Sequence, residues 1–400
     1  MNTERDTFKD YILQTPNFLT LFLVPVSFLS IAPALIEIAR ELHTTPETMN
    51  LVFTFFPAGM VAGQLTSVFY NRRFKRSLII LTSYILLILI NLVLFFAQHF
   101  VIYFVLSIFC GYLLGINYVQ STENILACKV KNKDRLVTLM VTFYPIGALV
   151  APFLSSLLVR YQISWRYTYI IIAALILITA VLYSLLSLKG QNRIIANTVQ
   201  RVSFKEIFKD RDANISYIII LLVVLIYIVG ESVFGNWTPT YLRLAKGLDI
   251  QSAALGVTLF NIFIVIGRFI ASSLAGKVSA KTILLAISII AIISAVFFVM
   301  SDTKLFIYIT ISLVGLGYSA MYPLLVSTGS TIYEKGRGIL SSMIFAAGYG
   351  GKTITPFITK AIAERNLTFS ILVATIFSGI AAMLIIFLIV FEKRRALTKN

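Results

Sequence analysis

About twelve stretches of this 400-residue chain run for roughly 20 residues or longer with few charges in them. They lie near 17–38, 48–70, 77–97, 101–127, 136–159, 166–188, 213–242, 251–275, 281–300, 304–330, 338–362 and 367–391. Each is continuously apolar rather than alternating, so each reads as a helix and not as a strand. A bilayer admits only helices or closed barrels, because every backbone polar group must find its partner inside the protein. The expected fold is therefore an all-α membrane protein of about twelve transmembrane helices. Hydrophobic residues make up 58% of the chain and charged residues 13%. A soluble domain of this length could not hide that much apolar surface.

The net charge of +17 suggests nucleic acid only if the bases share one folded face. Here they fall in short loops between apolar stretches, so no nucleic-acid partner is expected. With both termini placed in the cytoplasm, inner loops and tails hold about 24 Lys and Arg, outer loops about 8, and spans the remaining two. That asymmetry sets the expected orientation in a bacterial cytoplasmic membrane. Cys110 and Cys128 lie in or beside one span and suggest no disulfide framework. Residues 1–16 mix acids and bases with no small-residue cleavage site after them, so the first span is expected to be a retained helix.

One long polar segment, 189–212, carries Arg193, Arg201, Lys205, Lys209 and Arg211. It reads as a cytoplasmic linker between a six-helix bundle at 1–188 and a second at 213–400 that ends in a short tail. The halves echo each other. Gly147 precedes Pro152-Phe153 by the same spacing as Gly351 precedes Pro356-Phe357, and the basic loop Arg72-Arg73-Phe74-Lys75-Arg76 has a weaker echo at 277–281. An offset of about 200 residues fits two parallel, pseudo-symmetric repeats with a solute site near the bilayer midplane.

On these residues the chain resembles the major facilitator superfamily, and within it the fucose-permease (fucose:proton symporter) branch, including TsgA-like members. The superfamily's signature after the second span appears here, in degenerate form, as Ser67, Asn71-Arg72, Phe74 and Lys75-Arg76, preceded by a TsgA-like stretch at 50–59. Ile266-Gly267-Arg268-Phe269 matches the branch's eighth span and Tyr322-Pro323 its tenth. Ser341-Ser342, Gly350-Gly351 and Thr355-Pro356 match the eleventh, and Glu231, Gly235, Trp237 and Tyr241 the seventh. Three positions depart from the branch. Its proton-linked acid of the first span falls at Ala32, its fourth-span glutamate at Gln120 with Asn124 retained, and one eleventh-span glycine at Lys352.

Ionisable groups within spans are costly and are read first as functional. Glu231 lies just past the middle of the seventh span, where desolvation favours the neutral acid and suits a proton carrier; a structural pair is the other reading. Lys352, near the middle of the eleventh, could neutralise Glu231, bind an anionic solute, or do each in turn. Glu123 shares a helix face with Gln120 and could replace the missing acid or cap Lys129, Lys131 and Lys133. Arg268 reads as a structural or gating salt bridge, and Arg72 and Arg73 as gating residues. Asn117, Gln120, Asn124, Trp237, Asn261, Tyr318 and Tyr322 complete a candidate solute site, since amides bond hydroxyls and aromatic faces cover apolar rings. Gly351-Lys352-Thr353 mimics the end of a P-loop, but Ala346 occupies the first glycine position inside an apolar span.

No catalytic or metal residue is expected: His43 and His99 stand apart from any nucleophile or ligand cluster. The expected activity is secondary active transport of a small polar solute, sugar-like or an anionic metabolite, coupled to protons. Pro145, Pro152, Pro356 and nearby glycines are expected to permit bends. The expected partners are the solute, the proton and membrane lipids, with no cofactor and a monomeric state. The alternatives are export of metabolites or drugs by proton antiport and a non-transporting membrane sensor, though the linker and termini read as too short for added domains.

Overall fold

A computed structural model describes residues 8–49, 51–71, 73–128, 133–187, 210–330, 332, 337–363 and 366–398. The expected linker lies almost wholly outside these residues, as do Arg72, Lys129 and Lys131. Among the described residues, eleven helices are long and apolar enough to cross a membrane. The helix Arg337–Ala363 corresponds to the expected eleventh span and is not among the eleven; Lys352 and a run of glycine, serine and threonine dilute its apolar character.

The chain forms two compact units, one of residues 1–201 with 337–349 and one of 202–336 with 350–400. Unit 1 contains α1 (Phe8–Leu29), a 3-10 turn at Ala32–Ala34, α2 (Leu35–Glu41), α3 (Pro46–Met49), α4 (Leu51–Asn71), α5 (Arg76–Phe95), α6 (Phe100–Ala127), α7 (Lys133–Arg160) and α8 (Tyr167–Leu182). Unit 2 contains α9 (Arg211–Leu244), α10 (Ile250–Leu274), α11 (Ala280–Met300), α12 (Lys304–Tyr318) and α13 (Met321–Ser330). After these come α14 (Arg337–Ala363), which the division into units splits at Tyr349–Gly350, and α15 (Leu367–Thr398). The same pairings recur in both units: α4 on α6 matches α10 on α12, and α5 on α6 and α8 matches α11 on α12 and α15. The repeat visible in the glycine–proline spacing thus extends to helix packing.

The outer faces show why a bilayer is the solvent. On α5, Leu78, Ile85, Leu89 and Leu92 form an exposed stripe at helical spacing, while Ile80, Tyr84, Leu87, Asn91 and Leu94 are buried. The exposed face is more apolar than the buried one, the reverse of a surface helix in water.

Because lipid is as apolar as the helices, packing and polar contacts must hold them together. Small residues do this between α4 and α6. A methyl added at Gly59 would lie 2.4 Å from the Ile108 carbonyl oxygen, and one at Gly63 would lie 2.0 Å from that of Tyr112. In return, Gly111 abuts the Phe56 carbonyl at 2.2 Å and Gly115 that of Met60 at 2.3 Å. Two G-x-x-x-G pairs therefore interlock, each backbone lying in the groove the other leaves open.

Among the described residues two spans are interrupted, and each interruption sits where proline removes a donor. Pro33 cannot supply the N–H that the Leu29 carbonyl would accept, and α1 ends at Leu29. Pro323 stands in the same relation to Ser319, and α12 ends at Tyr318. The bends expected in the fifth and eleventh spans are not interruptions: α7 and α14 each run as one helix.

Candidate functional site

In unit 1 the candidate residues lie on α6, which is buried on all sides from Leu113 to Leu126. Positions 117, 120, 121 and 124 share one face by their three- and four-residue spacing. Gln120 Nε2 donates to Ser67 Oγ of α4 at 2.7 Å. Asn124 Nδ2 donates to Asn17 Oδ1 of α1 at 3.2 Å, and Asn17 passes the chain on to Gln14 at 2.7 Å. Ser121 donates to Thr20 at 3.1 Å, and Thr20 meets the Tyr84 hydroxyl of α5 at 2.7 Å. Asn117 and Gln64 are fully buried with neither amide atom hydrogen-bonded within the protein. Such groups are costly unless a water or solute partners them.

Glu123 lies on the next strip of α6 and is buried. Its Oε2 accepts from Arg76 Nη2 at 2.6 Å, while Arg76 Nη1 reaches Asn124 Oδ1 at 3.4 Å. Arg76 is the first residue of α5 and belongs to the basic loop read in the sequence. The carboxylate thus meets a cation 47 residues away rather than serving only the basic cluster that follows it. Arg73 is exposed in the turn after α4.

In unit 2 the candidates converge on α9. Glu231 Oε1 lies 3.8 Å from Lys352 Nζ of α14, with the glutamate side chain 15% exposed and the lysine 30%. Gly351 lets α14 approach α9, since a methyl there would come within 3.0 Å of Ile228. The second oxygen of Glu231 accepts from the hydroxyl of Tyr227, one helical turn earlier. That same hydroxyl lies 2.6 Å from the Tyr318 carbonyl oxygen at the end of α12.

Tyr318 is a linchpin of this region. Its ring packs beside those of Tyr227 and Phe234, with centroids 5.5 and 5.6 Å away, and its hydroxyl bonds Ser378 of α15. Gly230 makes room, because a methyl there would meet the Tyr318 hydroxyl at 2.5 Å. Arg268, expected in a salt bridge, is buried and donates from Nε to the Ser319 carbonyl at 2.8 Å. That carbonyl is the one Pro323 leaves without its helical donor.

The remaining candidates stand farther out. Asn261 donates its amide to Val257 of its own helix at 2.9 Å. Trp237 is half-buried six residues beyond Glu231, about 9 Å along α9. Tyr322 is buried one turn after Tyr318, beyond the interruption. The sequence reading missed Asn17, Gln14, Arg76 as a partner of Glu123, and Tyr227. A tyrosine four residues before an intramembrane acid was a usable signal; the long-range pairs had none.

These features accord with comparisons to known proteins. A family model described as Major Facilitator Superfamily matches residues 18–356. Curated relatives include a Protein TsgA homolog of Buchnera aphidicola subsp. Baizongia pistaciae, 25% identical over 357 residues and 88% of each chain. Another, from Yersinia pestis, is 23% identical over 338 residues and 82% of each chain. Among solved structures, the E. coli fucose:proton symporter FucP superposes with a TM-score of 0.77 at 15% identity, covering 96% of this chain and 99% of that one. The human organic anion transporter TETRAN gives 0.76 at 11% identity, covering 96% and 100%. The proton:xylose symporter XylE gives 0.73 at 14% identity, covering 94% and 95%. With all-helical architecture, repeated packing and a family match across most of its length, the chain belongs to the Major Facilitator Superfamily.

Proposed function

We propose that this transporter-family member moves a small polar solute across the cytoplasmic membrane by alternating access, with the proton as coupling ion and Glu231 as its carrier. The observation that carries this reading is the Glu231–Lys352 pair, with Glu231 inside the candidate membrane-spanning helix α9. An acid there is costly when charged and alone, and a lysine at 3.8 Å is a loose partner that can be released. Protonation of Glu231 removes its charge attraction to Lys352, the more exposed of the two. The symporters FucP and XylE, which share the fold, are proton-coupled by their descriptions.

In this reading residues 1–188 and 213–400 are the two moving bundles, 189–212 is the cytoplasmic linker, and both termini face the cytoplasm. Asn117, Gln120, Asn124, Trp237, Asn261, Tyr318 and Tyr322 contribute the polar and aromatic surface a hydroxylated solute needs. Arg76 with Glu123 and Arg73 act at the gate, and the protein works as a monomer. A second reading, an anionic solute, is favoured by Lys352, which stands where the fucose-permease pattern has glycine.

The test is thermal stabilisation of the purified protein by a panel of sugars and organic anions. A ligand at a hundred times its Kd stabilises by about 2.7 kcal/mol. A sugar hit lost in Gln120→Ala supports the hydroxylated solute, and an anion hit lost in Lys352→Ala supports the anionic one. In proteoliposomes loaded with the hit, a pH gradient should drive accumulation by wild type and not by Glu231→Gln. Full accumulation by that variant removes Glu231 as proton carrier.

A further inference from the structure

The oxygens around Tyr227 outnumber its protons. Its hydroxyl lies in hydrogen-bond range of Glu231 Oε2 and 2.6 Å from the Tyr318 carbonyl oxygen. A phenol has one proton to donate. A carboxylate and a backbone carbonyl are both acceptors only, so an ionised Glu231 and Tyr318 compete for it. The Tyr318 carbonyl sits at the interruption of the tenth span, where an unbroken helix would offer it the N–H of Tyr322. The adjacent carbonyl, on Ser319, is held by Arg268.

We infer that Tyr227 is a positioning residue that transmits the protonation state of Glu231 to the interruption between α12 and α13; this rests on Glu231 being the proton carrier proposed above. With Glu231 ionised, the phenolic proton goes to the carboxylate, the stronger acceptor. The Tyr318 carbonyl then loses its cap in an apolar interior, and the end of α12 loosens. With Glu231 protonated, the carboxylic O–H donates to the Tyr227 oxygen, and the phenolic proton turns to the Tyr318 carbonyl. One proton is gained on the carboxyl, one hydrogen bond reverses direction, and the interruption is capped.

The groups facing this relay are consistent with two settings. Lys352 of α14 faces the other oxygen of Glu231, so protonation weakens that pair while turning the Tyr227 bond. Arg268 of α10 lies close enough to act on the Tyr227 hydroxyl electrostatically and stays tied to Ser319. Tyr318 of α12 is anchored at its far end to Ser378 of α15, which leaves its carbonyl as the part free to gain or lose a donor. Pro323 ensures that the helix cannot close the interruption unaided.

The experiment is a pH series on the full-length protein in nanodiscs, with two readouts. Infrared difference spectra follow the carbonyl stretch of a protonated carboxyl, assigned to Glu231 by its loss in Glu231→Gln. Hydrogen exchange of peptides spanning 316–326 is followed after correction for the intrinsic pH dependence of amide exchange. In wild type, exchange there should slow by about fivefold on acidification, with the midpoint of the Glu231 band. In Tyr227→Phe the band should still titrate while the exchange step disappears. In Glu231→Gln exchange should stay at the slow, low-pH value throughout.

A step that survives in Tyr227→Phe alongside a titrating band overturns the inference and leaves the proton carrier standing. A wild-type band that does not titrate overturns both. Should Tyr227→Phe fail to fold, a step that persists in Glu231→Gln overturns the inference on its own.

Discussion

In unit 1 Gln120, Ser121 and Asn124 of α6 are bound to α4 and α1 by amides and hydroxyls, and the buried Glu123 meets Arg76 of α5 at 2.6 Å. In unit 2 the acid and base stand 3.8 Å apart, both partly exposed, with a tyrosine shared between the acid and an interrupted helix. The packing differs in the same sense. The α4–α6 contact is backbone on backbone at four glycines, whereas the matching α10–α12 contact sets Gly315 against the Phe260 carbonyl and Gly267 against the Ser319 side chain. Four interlocked backbone contacts hold α4 and α6 in one register, and the clearest contrast between the units is the 3.8 Å Glu231–Lys352 pair against the 2.6 Å Glu123–Arg76 pair. In the reading proposed above, the first unit is the more fixed of the two and the proton-linked change falls on the second.

The strongest way to break it is Gly63→Ala set against Gly256→Ala. The first pushes a methyl to 2.0 Å from a backbone oxygen; the second meets the end of the Leu242 side chain at 2.6 Å. Gly63→Ala should cost about 3 kcal/mol or prevent folding, and Gly256→Ala should change stability little. Thermal unfolding of the two purified variants decides it, and equal Tm values would remove the claimed difference.

Next in size is Arg76→Ala, which leaves Glu123 buried without this cation and should cost about 3 kcal/mol. Adding Glu123→Gln should recover most of that loss. Lys352→Ala, which removes a looser and more exposed partner, should change stability by no more than about 1 kcal/mol. A double-mutant cycle for each pair, by denaturation in detergent, sharpens the contrast. A larger coupling for Glu231–Lys352 than for Glu123–Arg76 would invert it.

Tyr84→Phe deletes the hydroxyl that meets Thr20 at 2.7 Å and should lower stability by about 1 kcal/mol. No change in Tm would mean the unit 1 network contributes nothing through that bond.

The smallest effect is expected at Asp249, the N-cap of α10. The Ser252 hydroxyl and backbone N–H hold its carboxyl down to about 2. A depressed folded value contributes stability above the ordinary carboxylate range and loses it as pH falls through about 2. The small Tm difference between wild type and Asp249→Ala should therefore shrink on acidification; a difference that grows would contradict the cap.

The helices themselves were legible, because each apolar stretch must span one hydrocarbon core. Their ends were less so: α1 is already helical at Phe8, since Gln14 and Asn17 continue a helix that hydropathy alone starts later. Glu231 and Lys352 were legible singly as charges where charge is costly. Their joint use of Tyr227 and the α12 interruption depends on which helices touch, which one sequence does not state. Pro323 carried half of that message through its missing donor, and Arg268 the other half only once α10 and α12 were side by side. The paired Gly59–Gly63 and Gly111–Gly115 spacing was present in the sequence and overlooked, because glycine in an apolar span lowers no hydropathy score enough to draw notice.

The interlocked glycines also bear on how the chain is made. Gly63 and Gly115 are 52 positions apart, so at typical rates of about 5–20 residues per second the first waits roughly 3–10 s for the second to be synthesised. During that interval α4 faces lipid with an open groove along its backbone. The groove is harmless there, since the helix already satisfies its own N–H and C=O groups. It closes only after α5 has crossed in the opposite direction and α6 has followed, which makes the third of these crossings a checkpoint in membrane insertion.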